Sequence, residues 1–269
     1  MIIASDSTIS AAWLLGTETL LAAGGDAFSS ILHVVRPAEP TPQESSARGL
    51  LDAFLARHRM QDTQTVASTI FPDAIAVGRT AAELYGHYET RTFPRLRRLR
   101  ANTRGTYFHR LIHLETTENG TTVVRNPLAE CIQKMRGELR RRGTLRSAYE
   151  LAIYRPKDDA SVRMGFPCLS HISLKVDPGE RQLHLSAVYR NQTYVERAYG
   201  NLLGLNRLQG FIAHEVRLDT GELVCHATHA ELGAKVRRGP LTSLLADIRA
   251  VLSQPPSWPR KPLQSVEPA

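Results

Sequence analysis

The chain has 269 residues, of which 42% are hydrophobic and 22% charged, a balance that excludes wholesale disorder and leaves room for one large core or two modest ones. A formal net charge of +8 points to an anionic partner, whether a phosphate, a nucleic acid or an anionic surface, although basic residues are also ordinary solvated surface. Three widely spaced cysteines, Cys131, Cys168 and Cys225, form no CxxC pair, so neither a zinc ribbon nor a disulfide framework is indicated and a reducing compartment fits.

No run of apolar residues is long enough to cross a bilayer, so no membrane association is expected. The N-terminus lacks a basic segment and Glu18 interrupts its apolar stretch; no signal peptide is expected, and the cytoplasm is the default compartment.

In chain order, residues 8–23 carry apolar side chains at helical spacing behind the possible caps Ser7 and Thr8, and Gly24-Gly25 ends that helix. Residues 28–36 suit a strand, and Pro37, Pro40 and Pro42 mark a loop over 37–46. Helices are expected over 46–59 and 81–96, the second interrupted at Pro94. Residues 106–115 have strand character, and Thr117 to Thr121 form a turn. A helix over 128–141 follows, then strands over 148–154, 170–176 and 182–190. Asp177-Pro178-Gly179-Glu180 joins the last two as a hairpin. Residues 194–215 read as a long amphipathic helix despite Gly200 and Gly204. Residues 218–228 read as a strand pair about Asp219-Thr220-Gly221-Glu222, and 240–252 as a final helix. The expected fold is α+β with a mixed sheet flanked by helices, most simply one domain over 1–253 with an irregular tail over 254–269.

Cys168 is the most suggestive chemical group. It follows Pro167, which fixes the local backbone, and precedes an expected strand. A thiol becomes a good nucleophile where nearby positive charge stabilises its thiolate. Alone, such a cysteine is more often a small buried hydrophobe. Its downstream neighbours change the weighting. Arg190-Asn191 closes the second hairpin strand, Asn201 follows Arg190 by eleven residues inside a helix, and His229 closes a later strand. Each has a bland reading: Arg190 as a surface charge, Asn201 as a helix residue, His229 as one of several possible placements beside His226 and Val224. Their joint order carries the signal.

That order resembles the thymidylate synthase and pyrimidine nucleotide hydroxymethylase family. The family runs Pro-Cys, a hairpin, Arg-Ser, an Asn early in a central helix, then His-x-Tyr. Here the matching residues are Pro167-Cys168, Arg190-Asn191, Asn201 and His229-Ala230-Glu231. More weakly, Gly105 to Leu111 resembles the Tyr-Gly-x-Arg segment, and Leu145-Arg146 the Arg-Arg pair. The resemblance covers about residues 100–232, and 166–206 is its most specific part.

The resemblance implies a thymidylate-synthase-like fold and a homodimer that acts on C5 of a pyrimidine nucleotide. In that scheme Cys168 adds to C6 and makes C5 enolate-like, ready to attack a one-carbon electrophile. Arg190 binds the nucleotide phosphate and lowers the thiol pKa, with Asn191 beside it. Arg146 reaches the phosphate from a partner subunit. Asn201 bonds the N3/O4 edge of the base and mildly favours uracil. His229 lies near the sugar, and Tyr107 belongs to a proton relay. Methylenetetrahydrofolate is the implied cosubstrate, yet the folate side departs from the pattern. Thr193 stands where an Asp is expected and Glu231 where a Tyr is expected. The active-site Trp and early Glu are not found, and no C-terminal closing segment is evident.

The alternative is a nucleotide-binding or regulatory protein that kept the pocket without the chemistry. Nucleic-acid binding ranks third, on the basic runs Arg95 to Arg100 and Arg136 to Arg146, because aromatics are not interleaved with these charges. No metal is expected: His226 and His229 are close, but no ligand set accompanies them.

Overall fold

A computed structural model describes residues 1–38, 41–141, 147–234 and 236–254 of the chain. Strand β1 (Ile2–Asp6) leads through helix α1 (Ile9–Ala22) to β2 (Asp26–Val34). A helical stretch follows: α2 (Pro42–Arg57), α3 (Thr63–Ser68), α4 (Asp73–Ala76), α5 (Ala81–His87), α6 (Phe93–Leu96) and α7 (Tyr107–Ile112). A small hairpin, β3 (Leu114–Glu118) and β4 (Thr121–Arg125), precedes α8 (Pro127–Arg140), β5 (Glu150–Ala152) and α9 (Pro156–Asp159). The chain then runs through β6 (Leu169–Asp177), β7 (Gln182–Tyr189), the short β8 (Gln192–Thr193), α10 (Tyr199–Val216), β9 (Asp219–Glu231) and α11 (Arg238–Leu252).

Seven strands form one mixed sheet in the order β1-β2-β9-β7-β6-β5, with β8 paired to β9. β1 is parallel to β2, and β7 is parallel to β9; the remaining pairs on the path are antiparallel. A parallel pair needs a crossover, and α10 supplies it between β7 and β9. Alternation along the strands sends Leu183, Leu185, Ala187 and Tyr189 of β7, and Leu223, Cys225 and Ala227 of β9, into the helix-covered core. Trp13 of α1 is fully buried there, donating from Nε1 to the Tyr194 carbonyl at 2.9 Å and meeting the Tyr199 ring edge-on at 5.8 Å. The opposite face is polar: Glu150 accepts from Ser173 and Lys175 and pairs with His171, and Ser29 pairs with His226.

The chain is thus a mixed α/β protein with a mixed sheet flanked by helices. Two expected strand features change. Residues 106–115 do not form a strand. Thr106 caps α7 by accepting from the His109 N–H at 3.1 Å, and Phe108, Leu111 and Ile112 bury one helical face. β3 begins only at Leu114. Residues 218–228 are not a hairpin either, since β9 runs unbroken for 13 residues. Gly221 serves packing rather than turning: a Cβ there would lie 2.8 Å from the His184 ring. The interruption expected at Pro94 appears as a π-helical turn over Tyr88–Thr92 between α5 and α6. α2 starts at Pro42, earlier than expected. β1 and α3 are elements that the sequence pattern did not signal.

Candidate functional site

The hairpin places Arg190 beside Cys168. Leu169 pairs with Tyr189, and one step further the Arg190 N–H donates to the Cys168 carbonyl at 2.9 Å. The Arg190 side chain then folds back over the loop before the cysteine. Nε donates to the Pro167 carbonyl at 3.2 Å and Nη2 to the Phe166 carbonyl at 2.8 Å, while the guanidinium lies 3.7 Å above the Phe166 ring centre.

Among the three cysteines, Cys168 alone is half-buried; Cys131 and Cys225 are enclosed. Burial pushes the Cys168 thiol above its ordinary 9.0, the Arg190 and Arg197 charges pull it down, and Glu231 raises it. The expectation that Arg190 lowers the thiol is correct in direction, but burial outweighs it. The resting group is a thiol, not a thiolate.

Tyr107, the first residue of α7, stands edge-on to Tyr189 at 6.4 Å. Burial pushes its hydroxyl up to about 12, with Cys168 adding to the rise and the Leu169 and Cys168 backbone amides and Arg197 opposing it. Tyr107 therefore holds its proton at neutral pH, as a proton donor must. Arg197 was not singled out in the sequence. It lies on the π-helical turn Tyr194–Ala198 and bonds to Gln61. The available signal was its place four residues before Asn201, in a segment that feeds directly into α10.

Asn201 sits in the first turn of α10 and is 5% exposed, yet its carboxamide has no hydrogen-bond partner among the described residues. Its amide atoms are not among the fully enclosed, unpartnered polar atoms of the described residues.

Asn191 and His229 come together with each other. His229 Nδ1 lies 2.6 Å from Asn191 Oδ1, and Nε2 lies 2.8 Å from Asp26 Oδ2. Asn191 Nδ2 donates to Glu231 Oε1 at 3.1 Å, which fixes the amide orientation. Both imidazole nitrogens are thus engaged within the protein. Arg146 lies outside the described residues.

Thr193, at the folate-side position, donates from its hydroxyl to Glu231 Oε1 at 3.3 Å. It offers no carboxylate, and these residues do not fit a folate held in that family's manner.

A cavity of about 660 Å³ lies on the other side of α7, and Cys168 is not among its lining residues. Tyr154 on its wall packs against Phe166 at 6.1 Å, and Phe166 carries Arg190 on its ring. Among the described residues no cluster of three or more His, Cys, Asp or Glu could hold a metal, and no helix is long and apolar enough to cross a membrane. No protein-family model matches the chain, and no curated protein matches it.

Proposed function

We propose that the protein transfers a one-carbon unit to C5 of a pyrimidine nucleotide on a thymidylate-synthase-like fold, with Cys168 as the nucleophile. The observation that carries this reading is the backbone pairing of Arg190 with Cys168 across the hairpin, with the Arg190 charge close enough to the half-buried thiol to favour its thiolate. Cys168 first gives its proton to solvent, and the thiolate, favoured by Arg190 and Arg197, adds to C6, forming the S–C6 bond and moving the C5–C6 electron pair onto C5. C5 then attacks the one-carbon electrophile. Loss of the C5 proton and departure of the thiolate restore the ring.

Several neighbours support these roles. Arg197 is a second cation that stabilises the thiolate. Tyr107 holds a proton behind the loop. Asn201 has an unused donor and acceptor for a base edge. Arg190 meets the phosphate; the resemblance assigns Arg146 to the phosphate of a partner subunit in a homodimer, and that residue lies outside the described ones. Asn191 and His229 act as a braced pair held by Asp26 and Glu231. Thr193 and Glu231 argue against folate held in the family's way, so the donor is described only as a one-carbon electrophile.

The raised thiol favours a second reading, a nucleotide-binding regulator that lost the chemistry. A panel of C5-tritiated dUMP, dCMP, UMP and CMP separates the two. The enzyme releases tritium from at least one nucleotide, and Cys168→Ser abolishes release. Calorimetric binding that is unchanged in Cys168→Ser, with no tritium released from any nucleotide, establishes the regulator instead.

A further inference from the structure

The cavity next to Phe166 has no part in the proposed chemistry, yet it gathers unusual charge. α7 sends Tyr107 toward Cys168 and His109 to the cavity wall, so helix and loop serve both places. Its floor is electrically closed. Arg110 grips Asp159 through two hydrogen bonds, at 2.6 and 2.9 Å, with both side chains buried. Its rim is not. Arg97, Arg104 and Lys157 are exposed and form no ion pair among the described residues; Arg104 reaches only the Asp158 carbonyl, at 3.4 Å. The two lining carboxylates are already engaged, Glu115 with His113 at 3.5 Å and Asp158 at 4.0 Å from Arg155. Arg155 also keeps an enclosed Nε–H without an acceptor.

Alongside this charge runs an aromatic wall. Phe93, His109 and His113 stack in series, at 3.5 and 4.9 Å between ring centres, and Tyr154 stands in the loop after β5. Burial first, then the neighbouring His113, Arg155, Arg110 and Arg97, push the His109 imidazole down to about 3. His109 is therefore neutral in its stack, while the rim stays cationic.

We propose that this cavity binds a nucleoside polyphosphate, with the phosphates on Arg97, Arg104 and Lys157 and the base against the aromatic wall. A single phosphate would neutralise only part of the rim and fill little of about 660 Å³, whereas small-molecule sites commonly span roughly 300–1,000 Å³. Planar guanidinium groups suit phosphate oxygens, and stacked rings suit a heteroaromatic base. The inference is independent of the role of Cys168.

Calorimetry of the full chain with ATP, CTP, tripolyphosphate, adenosine and a single-stranded oligonucleotide tests it. Saturable one-to-one binding of ATP or CTP is expected, at least tenfold weaker in Arg97→Ala/Arg104→Ala/Lys157→Ala and unchanged in Cys168→Ser. These rim residues are exposed, and an unaltered melting temperature confirms that the variant folds. The single reversal Arg104→Glu provides a milder second variant with the same expected direction. Equal nucleotide affinity in these variants, or no binding by the wild type, overturns the proposal. Tripolyphosphate binding as tightly as ATP removes the base from it. Oligonucleotide binding with length-dependent stoichiometry, and no competition from ATP, replaces it with a nucleic-acid surface.

Discussion

The thiol of Cys168 takes its state from opposed neighbours: burial and Glu231 favour the neutral form, while Arg190 and Arg197 favour the thiolate. The net rise means that alkylation of Cys168 by iodoacetamide should keep accelerating past pH 9.0. Arg197→Gln removes a cation and should move that profile to still higher pH; a profile that stays put or moves down would exclude Arg197 from the thiol's surroundings. Arg197 is the better probe, since Arg190 also clamps the loop. Asp159 is a second residue with a defined direction. Burial alone would raise its carboxyl, but the Arg110 hydrogen bonds, the Arg155 N–H and both arginine charges hold it below 3.8. Its stabilisation is therefore complete above that value and fades as pH falls through the lower folded value. Asp159→Asn strands a buried guanidinium and should cost about 3–5 kcal/mol in urea unfolding at neutral pH. The gap to the wild type should close in acid, and a gap constant down to pH 2 would contradict the pairing.

At the scale of elements, the two glycines that made the central helix look doubtful are what seat it. A Cβ on Gly200 would lie 2.5 Å from the Val66 Cβ, and one on Gly204 would lie 2.7 Å from the Ala67 carbonyl oxygen, so both glycines face α3 at contact distance. Gly204→Ala should raise helix propensity yet destabilise the protein by about 1–3 kcal/mol, because a backbone atom must move. A higher melting temperature would show that α3 yields freely. The same element explains what the sequence concealed. Period and caps revealed α1, α8 and α11, and the hairpin turn revealed β6 and β7. α7 was hidden because its aromatic and β-branched composition imitates a strand, while its cap, Thr106, is a single residue. β9 was cut in two because Asp-Thr-Gly-Glu has turn chemistry, and only the His184 ring across the sheet shows why the glycine is needed.

For the whole molecule, the legible part of the candidate site follows from the hairpin. The hairpin about Asp177–Glu180 brings the end of β7 back beside the start of β6, but its register alone would set Asn191 opposite Cys168; a bulge between Leu169 and His171 shifts the pairing by one and puts Arg190 there. Tyr107 joins them through tertiary packing of α7. The Asp26–His229–Asn191 chain was not legible, because Asp26 comes from the far end of the sequence and meets β9 only through the β2 pairing. The cationic cavity was hidden for a similar reason: the segment before α7 and the loop after β5 meet only in the folded chain. Addition of the thiol to a pyrimidine ring is the event on which the proposed chemistry turns. Intact mass spectrometry after incubation with 5-fluoro-dUMP and 5-fluoro-dCMP, each with and without methylenetetrahydrofolate, reads that event directly. A covalent nucleotide adduct that maps to Cys168 and is absent in Cys168→Ser is expected. No adduct under any of these conditions, while iodoacetamide still labels Cys168, would contradict it.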